Sequence, residues 1–79
     1  MSLYFFDVYE DDLVCLDDEG TQHDGDAKAL AHAIDGIRSI LSSAVRHGVF
    51  SLAGQVHVRD AAGAVAMVVP FTDAVEQRT

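Results

Sequence analysis

Apolar and polar positions alternate in short runs near both ends of the chain, with a longer periodic stretch between them. Residues 3–9 are rich in aromatic and β-branched side chains, and residues 13–16 repeat that character after a polar turn, which predicts an antiparallel hairpin. Residues 55–60 alternate strictly, and residues 64–69 follow a turn whose glycine, Gly63, suits a left-handed conformation. The pattern therefore predicts four strands, two on each side of the central stretch.

The central stretch has the period of an amphipathic helix of about 22 residues, or about 33 Å. Asp24 or Asp26 is expected to cap its N-terminus, and Gly48 suits the position just after its C-terminus. Gly36 lies in its middle, where glycine costs up to about 1 kcal/mol relative to alanine, and we expect a strand to approach closely there. The apolar face comprises Leu30, Ile34, Ile37, Leu41, Ala44 and Val45.

The order ββαββ predicts an α+β fold in which one long helix packs on one face of a four-stranded antiparallel sheet. We predict one domain over residues 1–79, because a chain of this length has room for a single core. Strand order 2-1-3-4 satisfies the strand directions. It also puts the last strand, which Pro70 ends, at an edge, where a missing N–H is tolerated.

The second face of this sheet is also rich in apolar residues. A sheet covered by one helix should alternate between apolar and polar faces, so an apolar second face indicates an interaction surface. A second copy of the chain is the simplest partner, because two-fold dimers are the commonest assemblies. Alternatively, residues 49–54 fold over this face. The predicted interaction surface comprises Leu3, Phe5, Tyr9, Val14, Leu16 and Val68.

The charge is strongly negative and unevenly placed. The chain has 79 residues and a net charge of −8, and its first 26 residues hold nine of the 13 acidic side chains and no Lys or Arg. Nucleic-acid binding through phosphates needs a positive surface, so we expect no nucleic-acid partner. The acidic hairpin is expected to be a solvated turn; alternatively, it engages a basic protein.

No catalytic motif is visible, so we predict a protein that is not an enzyme and has no cofactor. The only cysteine, Cys15, is expected to be an inert, buried thiol in the middle of a strand, and it excludes an intrachain disulfide. The four histidines lack zinc-binding spacing. The acids around His23 do not fit a calcium-loop register, so no metal is predicted. The sequence has neither a signal-peptide pattern nor an apolar run of membrane-spanning length, which predicts a cytoplasmic protein without a membrane partner.

Five short blocks, in order, resemble a family of short uncharacterised bacterial proteins common in alphaproteobacteria. They are YFFDV at residues 4–8, DxEGT at 17–21, the alanine-rich helix, VxDxxG at 58–63 and PFTDAV at 70–75. The chain departs from the family pattern at Leu3, where Arg or His is common, and at residues 10–12, where acids replace an Asp-Gly turn. The resemblance implies no activity and no site residues.

A shorter stretch, residues 25–33 after the hairpin, is similar to the hairpin-to-helix junction of HicB-type antitoxins. That resemblance implies an α+β domain that sequesters a small toxin, although the DNA-binding extension of that family is missing. We therefore predict a small, non-enzymatic, self-associating or protein-binding module, with an antitoxin-like module that binds a basic protein as the alternative.

Overall fold

The computed structural model describes residues 1–11, 13–48 and 51–75. The elements are β1 (Ser2–Glu10), β2 (Leu13–Cys15), β3 (Thr21–His23), α1 (Asp26–Arg46), β4 (Gln55–Arg59), β5 (Val65–Pro70) and a 3₁₀ turn (Phe71–Ala74). Within these residues the sheet is antiparallel, with strand order β2-β1-β4-β5, and β3 pairs with the N-terminal part of β1. The predicted α+β class and the order of the four predicted strands are confirmed.

The strand β3 is absent from the predicted ββαββ order. Its three residues, Thr21, Gln22 and His23, are too few and too polar to produce a strand pattern. They are held by β1, which pairs with β2 at its C-terminal end and with β3 at its N-terminal end. A nine-residue strand thus organises two short neighbours along one edge.

The core lies between α1 and one face of the sheet. The apolar stripe of α1 is shifted from its predicted position: Ile37 and Leu41 are buried, but Leu30 and Val45 are 41% and 59% exposed. Residues four apart form the buried row, and its first two members are alanines, which bring the helix close to the sheet. The buried apolar residues are Tyr4, Ala29, Ala33, Ile37, Leu41, Val56, Val58, Val69, Phe71 and Ala74.

The C-terminal end of α1 agrees with its prediction, and the N-terminal end does not. The N-cap residue is Gly25, without a side-chain cap, so the predicted capping by Asp24 or Asp26 is wrong. Asp26 is instead the first helical residue, and its carboxylate accepts a 2.8 Å hydrogen bond from the Tyr4 hydroxyl. Gly48 has a φ of 78° just past the helix, as predicted.

The close backbone approach that was expected at Gly36 occurs at Gly54 instead. Gly36 is exposed, and a Cβ added there would meet no atom within 4 Å, so the predicted close approach of a strand is wrong. Gly54, just before β4, is buried, and its Cβ would lie 2.5 Å from the Phe71 ring. The close backbone approach therefore occurs at Gly54, where Phe71 also donates its N–H to the glycine carbonyl.

The β4–β5 hairpin confirms the predicted turn but contains an irregularity. The Asp60 N–H donates to the Ala64 carbonyl at 2.8 Å, and Gly63 has a φ of 89°. A register shift next to Arg59 then places Val65 opposite Arg59. Because of this bulge, Val65 does not share a face with Met67 and Val69 as strict alternation predicts.

Leu52 packs against the core, whereas Val49 and Phe50, the other apolar residues of the segment expected to cover the sheet, lie outside the described residues. No helix within the described ranges has the length and apolar character needed to cross a membrane.

Candidate functional site: the open face of the sheet

We call the sheet face that points away from α1 the open face. Successive side chains of a strand point to opposite sides, and the strand registers align those of neighbouring strands. The predicted apolar face is interrupted at its centre, because Asp7 lies between Phe5 and Tyr9 on β1. The open face comprises Leu3, Phe5, Asp7, Tyr9, Val14, Gln55, His57, Arg59, Val65 and Val68.

An ion pair occupies the centre of the open face. Arg59 donates from Nε to Asp7 Oδ2 at 2.5 Å and from Nη2 to Asp7 Oδ1 at 3.1 Å. The Asp7 side chain is only 2% exposed, whereas the Arg59 side chain is 29% exposed. The Asp17 N–H adds a 2.9 Å hydrogen bond to Asp7 Oδ1. Arg59 and Asp17 together therefore bury the Asp7 carboxylate.

The pKa values of this cluster follow from its hydrogen bonds. The bond from Arg59 lowers the pKa of Asp7 and outweighs the effect of burial. The same contact raises the pKa of Arg59. Burial opposes ionisation of Asp17, but backbone N–H donors from Gly20, Phe6 and Glu19 leave its pKa lowered as well. All three groups are thus held in their charged forms.

The Asp17 carboxylate accepts a backbone hydrogen bond from β1 at the gap between β2 and β3. The Phe6 N–H, which faces neither β2 nor β3, donates to Asp17 Oδ2 at 3.1 Å. The other carboxylate oxygen accepts the N–H groups of Glu19 and Gly20 at 3.1 and 3.0 Å. One side chain therefore shapes the link between β2 and β3 and replaces a missing strand partner.

Aromatic rings flank the ion pair. The Arg59 guanidinium lies 4.9 Å from the centroid of the Phe5 ring, a cation–π contact. Further along, the Tyr9 and His57 rings lie 4.2 Å apart at 34°, and Gln55 Nε2 lies 2.9 Å from His57 Nε2. The polar groups of the open face are thus engaged with one another and with the rings beside them.

The six side chains of the predicted interaction surface fall into two groups. Leu3, Phe5 and Tyr9 are half-buried around the ion pair. The others remain exposed at the two sides of the sheet, with exposed fractions of 52% for Val14, 63% for Leu16 and 47% for Val68. Leu16 lies just beyond the end of β2.

Sequence reasoning missed the central residues Asp7, Asp17 and Arg59. One signal for them is present in the sequence: Asp7 alternates with Phe5 and Tyr9 on an otherwise apolar strand face, and a charge among apolar side chains needs a partner. Arg59 is the only Lys or Arg in the strands. The sequence alone does not show that the strands carrying them are neighbours.

Cys15 is exposed and ends β2, so the prediction of a buried thiol is wrong. On the opposite side of the sheet, the rings of His23 and His32 lie 4.7 Å apart, and each contacts Phe6. Among the described residues, no group of three or more His, Cys, Asp and Glu side chains is arranged to hold a metal ion.

Residues 3–72 match the family model for a domain of unknown function, DUF6894. The match covers most of the chain and agrees with the expected resemblance to an uncharacterised family. No curated protein matches the chain, and no solved structure matches it. The family match does not support the antitoxin-like interpretation, and the other two comparisons do not support it either.

Proposed function

We propose that this chain, which belongs to the DUF6894 family of domains of unknown function, is a non-catalytic module that associates with a second copy of itself through its sheet. The observation that carries the proposal is the exposure of four apolar side chains on the open face or, for Leu16, just beyond the end of β2. Val14, Leu16, Val65 and Val68 are between 47% and 63% exposed. They form two pairs at opposite sides of the sheet, Val14 with Leu16 and Val65 with Val68. Apolar side chains grouped in water typically mark an interaction surface.

The shape of the molecule supports this use of the sheet. Its principal extents are 37 × 30 × 17 Å, and the thin dimension corresponds to a helix layer and a sheet layer about 10 Å apart. In the described ranges, the open face has no third layer. A rigid, hydrogen-bonded centre with exposed apolar sides provides a surface that can pair without rearrangement.

The proposed absence of catalysis rests on the hydrogen-bonded cluster of Asp7, Arg59 and Asp17. The Asp7 carboxylate accepts three hydrogen bonds from Arg59 and Asp17, which leaves it poorly placed to take a proton from a substrate. We also place the module in the cytoplasm, because the exposed thiol of Cys15 stays reduced in that compartment.

Sedimentation velocity at protein concentrations from the micromolar range upward tests self-association. We expect a concentration-dependent dimer, weakened by Val68→Ser on the sheet. The matched control is Val45→Ser, which removes an exposed valine from α1 (59% exposed against 47% for Val68) and should leave the dimer intact. A wild-type protein that sediments as an 8.5 kDa monomer at all concentrations contradicts the proposal.

A further inference from the structure

The outer edge of β5 is the longest unpaired strand edge in the described part of the chain. β5 spans Val65–Pro70, lies at one end of the strand order, and pairs only with β4. None of its six residues carries a charge. An uncharged edge strand offers backbone donors and acceptors to another strand, because nothing repels the incoming chain.

The opposite side of the sheet is protected in the usual ways. Its strands, β2 and β3, have three residues each. Acidic side chains flank them, with Glu10 and Asp11 before β2 and Asp18 and Glu19 between the two strands. In a chain with a net charge of −8, two copies repel each other. The β5 edge adds no charge of its own to that repulsion.

The register identifies the backbone groups on this edge. The Phe71 N–H donates to the Gly54 carbonyl, and hydrogen-bonded pairs alternate with non-bonded pairs along an antiparallel ladder. Val68, which is opposite His57, therefore belongs to a non-bonded pair. Its N–H and carbonyl point away from β4, as does the carbonyl of Pro70. The bulge leaves Ala66 without a partner on β4.

We infer that two copies pair β5 to β5 in an antiparallel arrangement, with the two-fold axis at Val68. This inference rests on the proposed self-association and places its contact at the β5 side of the sheet, where Val65 and Val68 are exposed; Val14 and Leu16, at the β2 side, stay outside it. Each Val68 N–H donates to the Val68 carbonyl of the second copy. Each Ala66 N–H donates to the Pro70 carbonyl of the second copy, because 66 and 70 are equally distant from 68.

Pro70 and the bulge before Ala66 limit the length of the β5–β5 contact. Pro70 has no N–H to donate, and the bulge disrupts the strand before Ala66, so the contact is limited to four hydrogen bonds. Val68 of one copy lies beside Val68 of the other, which removes both exposed side chains from water. Because the copies carry charge of the same sign, added salt should strengthen the dimer.

A charge-swap experiment tests the position of the axis. Val68→Lys and Val68→Asp each place like charges directly across the axis, so each variant alone should sediment as a monomer. An equimolar mixture should recover the dimer, because Lys then faces Asp. The matched controls, Leu30→Lys and Leu30→Asp, alter an exposed leucine of α1 and should leave dimerisation unchanged.

Amide hydrogen exchange of the wild-type protein provides a second readout that needs no variant. The Val68 and Ala66 amides should exchange more slowly as protein concentration rises, whereas the amide of Leu13 on the acidic side should not change. If the wild type is monomeric, the proposed function and this inference both fail. If it dimerises while both Val68 variants also dimerise alone, or while the Val68 amide stays unprotected, only this inference fails.

Discussion

Arg59 reaches Asp7 diagonally across two neighbouring strands. In the register of β1 and β4, Arg59 lies opposite Phe5, and Asp7 lies opposite His57. The guanidinium therefore extends over the Phe5 ring before its Nε and Nη2 atoms meet the two carboxylate oxygens. This diagonal geometry buries a charge on a sheet face that no other layer covers among residues 1–11, 13–48 and 51–75. It also fixes β1 to β4 by side chains as well as by the backbone ladder.

The variant Asp7→Asn tests the contribution of this ion pair. Asparagine has nearly the same shape, but it removes the charge that Arg59 neutralises and replaces one acceptor oxygen with a donor. We expect the free energy of unfolding to fall by about 2 kcal/mol, as measured by urea denaturation at pH 7. Asp35→Asn, at an exposed carboxylate of α1, is the control and should change it by less than about 0.5 kcal/mol. Equal effects of the two variants would refute the structural role of Asp7.

Acid should destabilise the wild-type protein more than Asp7→Asn. Asp7 and Asp17 both have folded-state pKa values below their ordinary value of 3.8. Between the folded and unfolded pKa values, the unfolded chain binds more protons, so stability is present above the unfolded value and is lost as pH falls through the folded value. Urea unfolding between pH 6 and pH 2 should show a steeper loss in the wild type. A parallel loss in the variant would show that Asp7 does not contribute to it.

Asp17→Ala removes the acceptor for three backbone N–H groups, those of Phe6, Glu19 and Gly20. We expect the free energy of unfolding to fall by about 2 kcal/mol, because hydrogen bonds to a charged acceptor contribute about 1.5–3 kcal/mol. The Phe6 amide should also exchange faster. Asp18→Ala changes the neighbouring, exposed carboxylate and serves as control. Unchanged protection of the Phe6 amide in Asp17→Ala would argue against the bond.

The variants Gly54→Ala and Gly36→Ala should change the free energy of unfolding in opposite directions. Gly54→Ala places a methyl group 2.5 and 2.7 Å from atoms of the Phe71 ring and 2.9 Å from the Tyr9 carbonyl oxygen, so we expect a loss of about 1–3 kcal/mol. Gly36→Ala meets open space in a helix interior and should add about 0.5–1 kcal/mol. In a domain of this size, about 1 kcal/mol corresponds to a change in Tm of roughly 4–8 °C. Thermal unfolding therefore distinguishes the expected fall in Tm for Gly54→Ala from the expected rise for Gly36→Ala. A higher Tm for Gly54→Ala would contradict the packing described.

The periodicity of the chain was sufficient to predict the helix and every strand except β3, and the strand directions together with Pro70 were sufficient to predict the order of those four strands. The period of side-chain exposure is a local property, and the turn at residues 60–63 is specified by local backbone preferences. The predicted surface residue Val68 is exposed for the same reason, since it alternates with Met67 and Val69, which face the helix layer. Val14 and Leu16 are exposed because they lie at the β2 edge, where every residue of the strand is exposed. Their use as an interface remains a prediction.

Tertiary contacts decided the features that depend on residues distant in sequence. Asp7 and Arg59 are 52 positions apart, and no local pattern indicates that they pair. Gly54 needs to be glycine only because the Phe71 ring packs against it. Val65 lies on the open face because of the register shift next to Arg59. β3 exists because β1 is long enough to hold it. Local propensity determines which residues form each element, whereas the partners of buried charges, close-packed glycines and short edge strands depend on which elements the fold brings together.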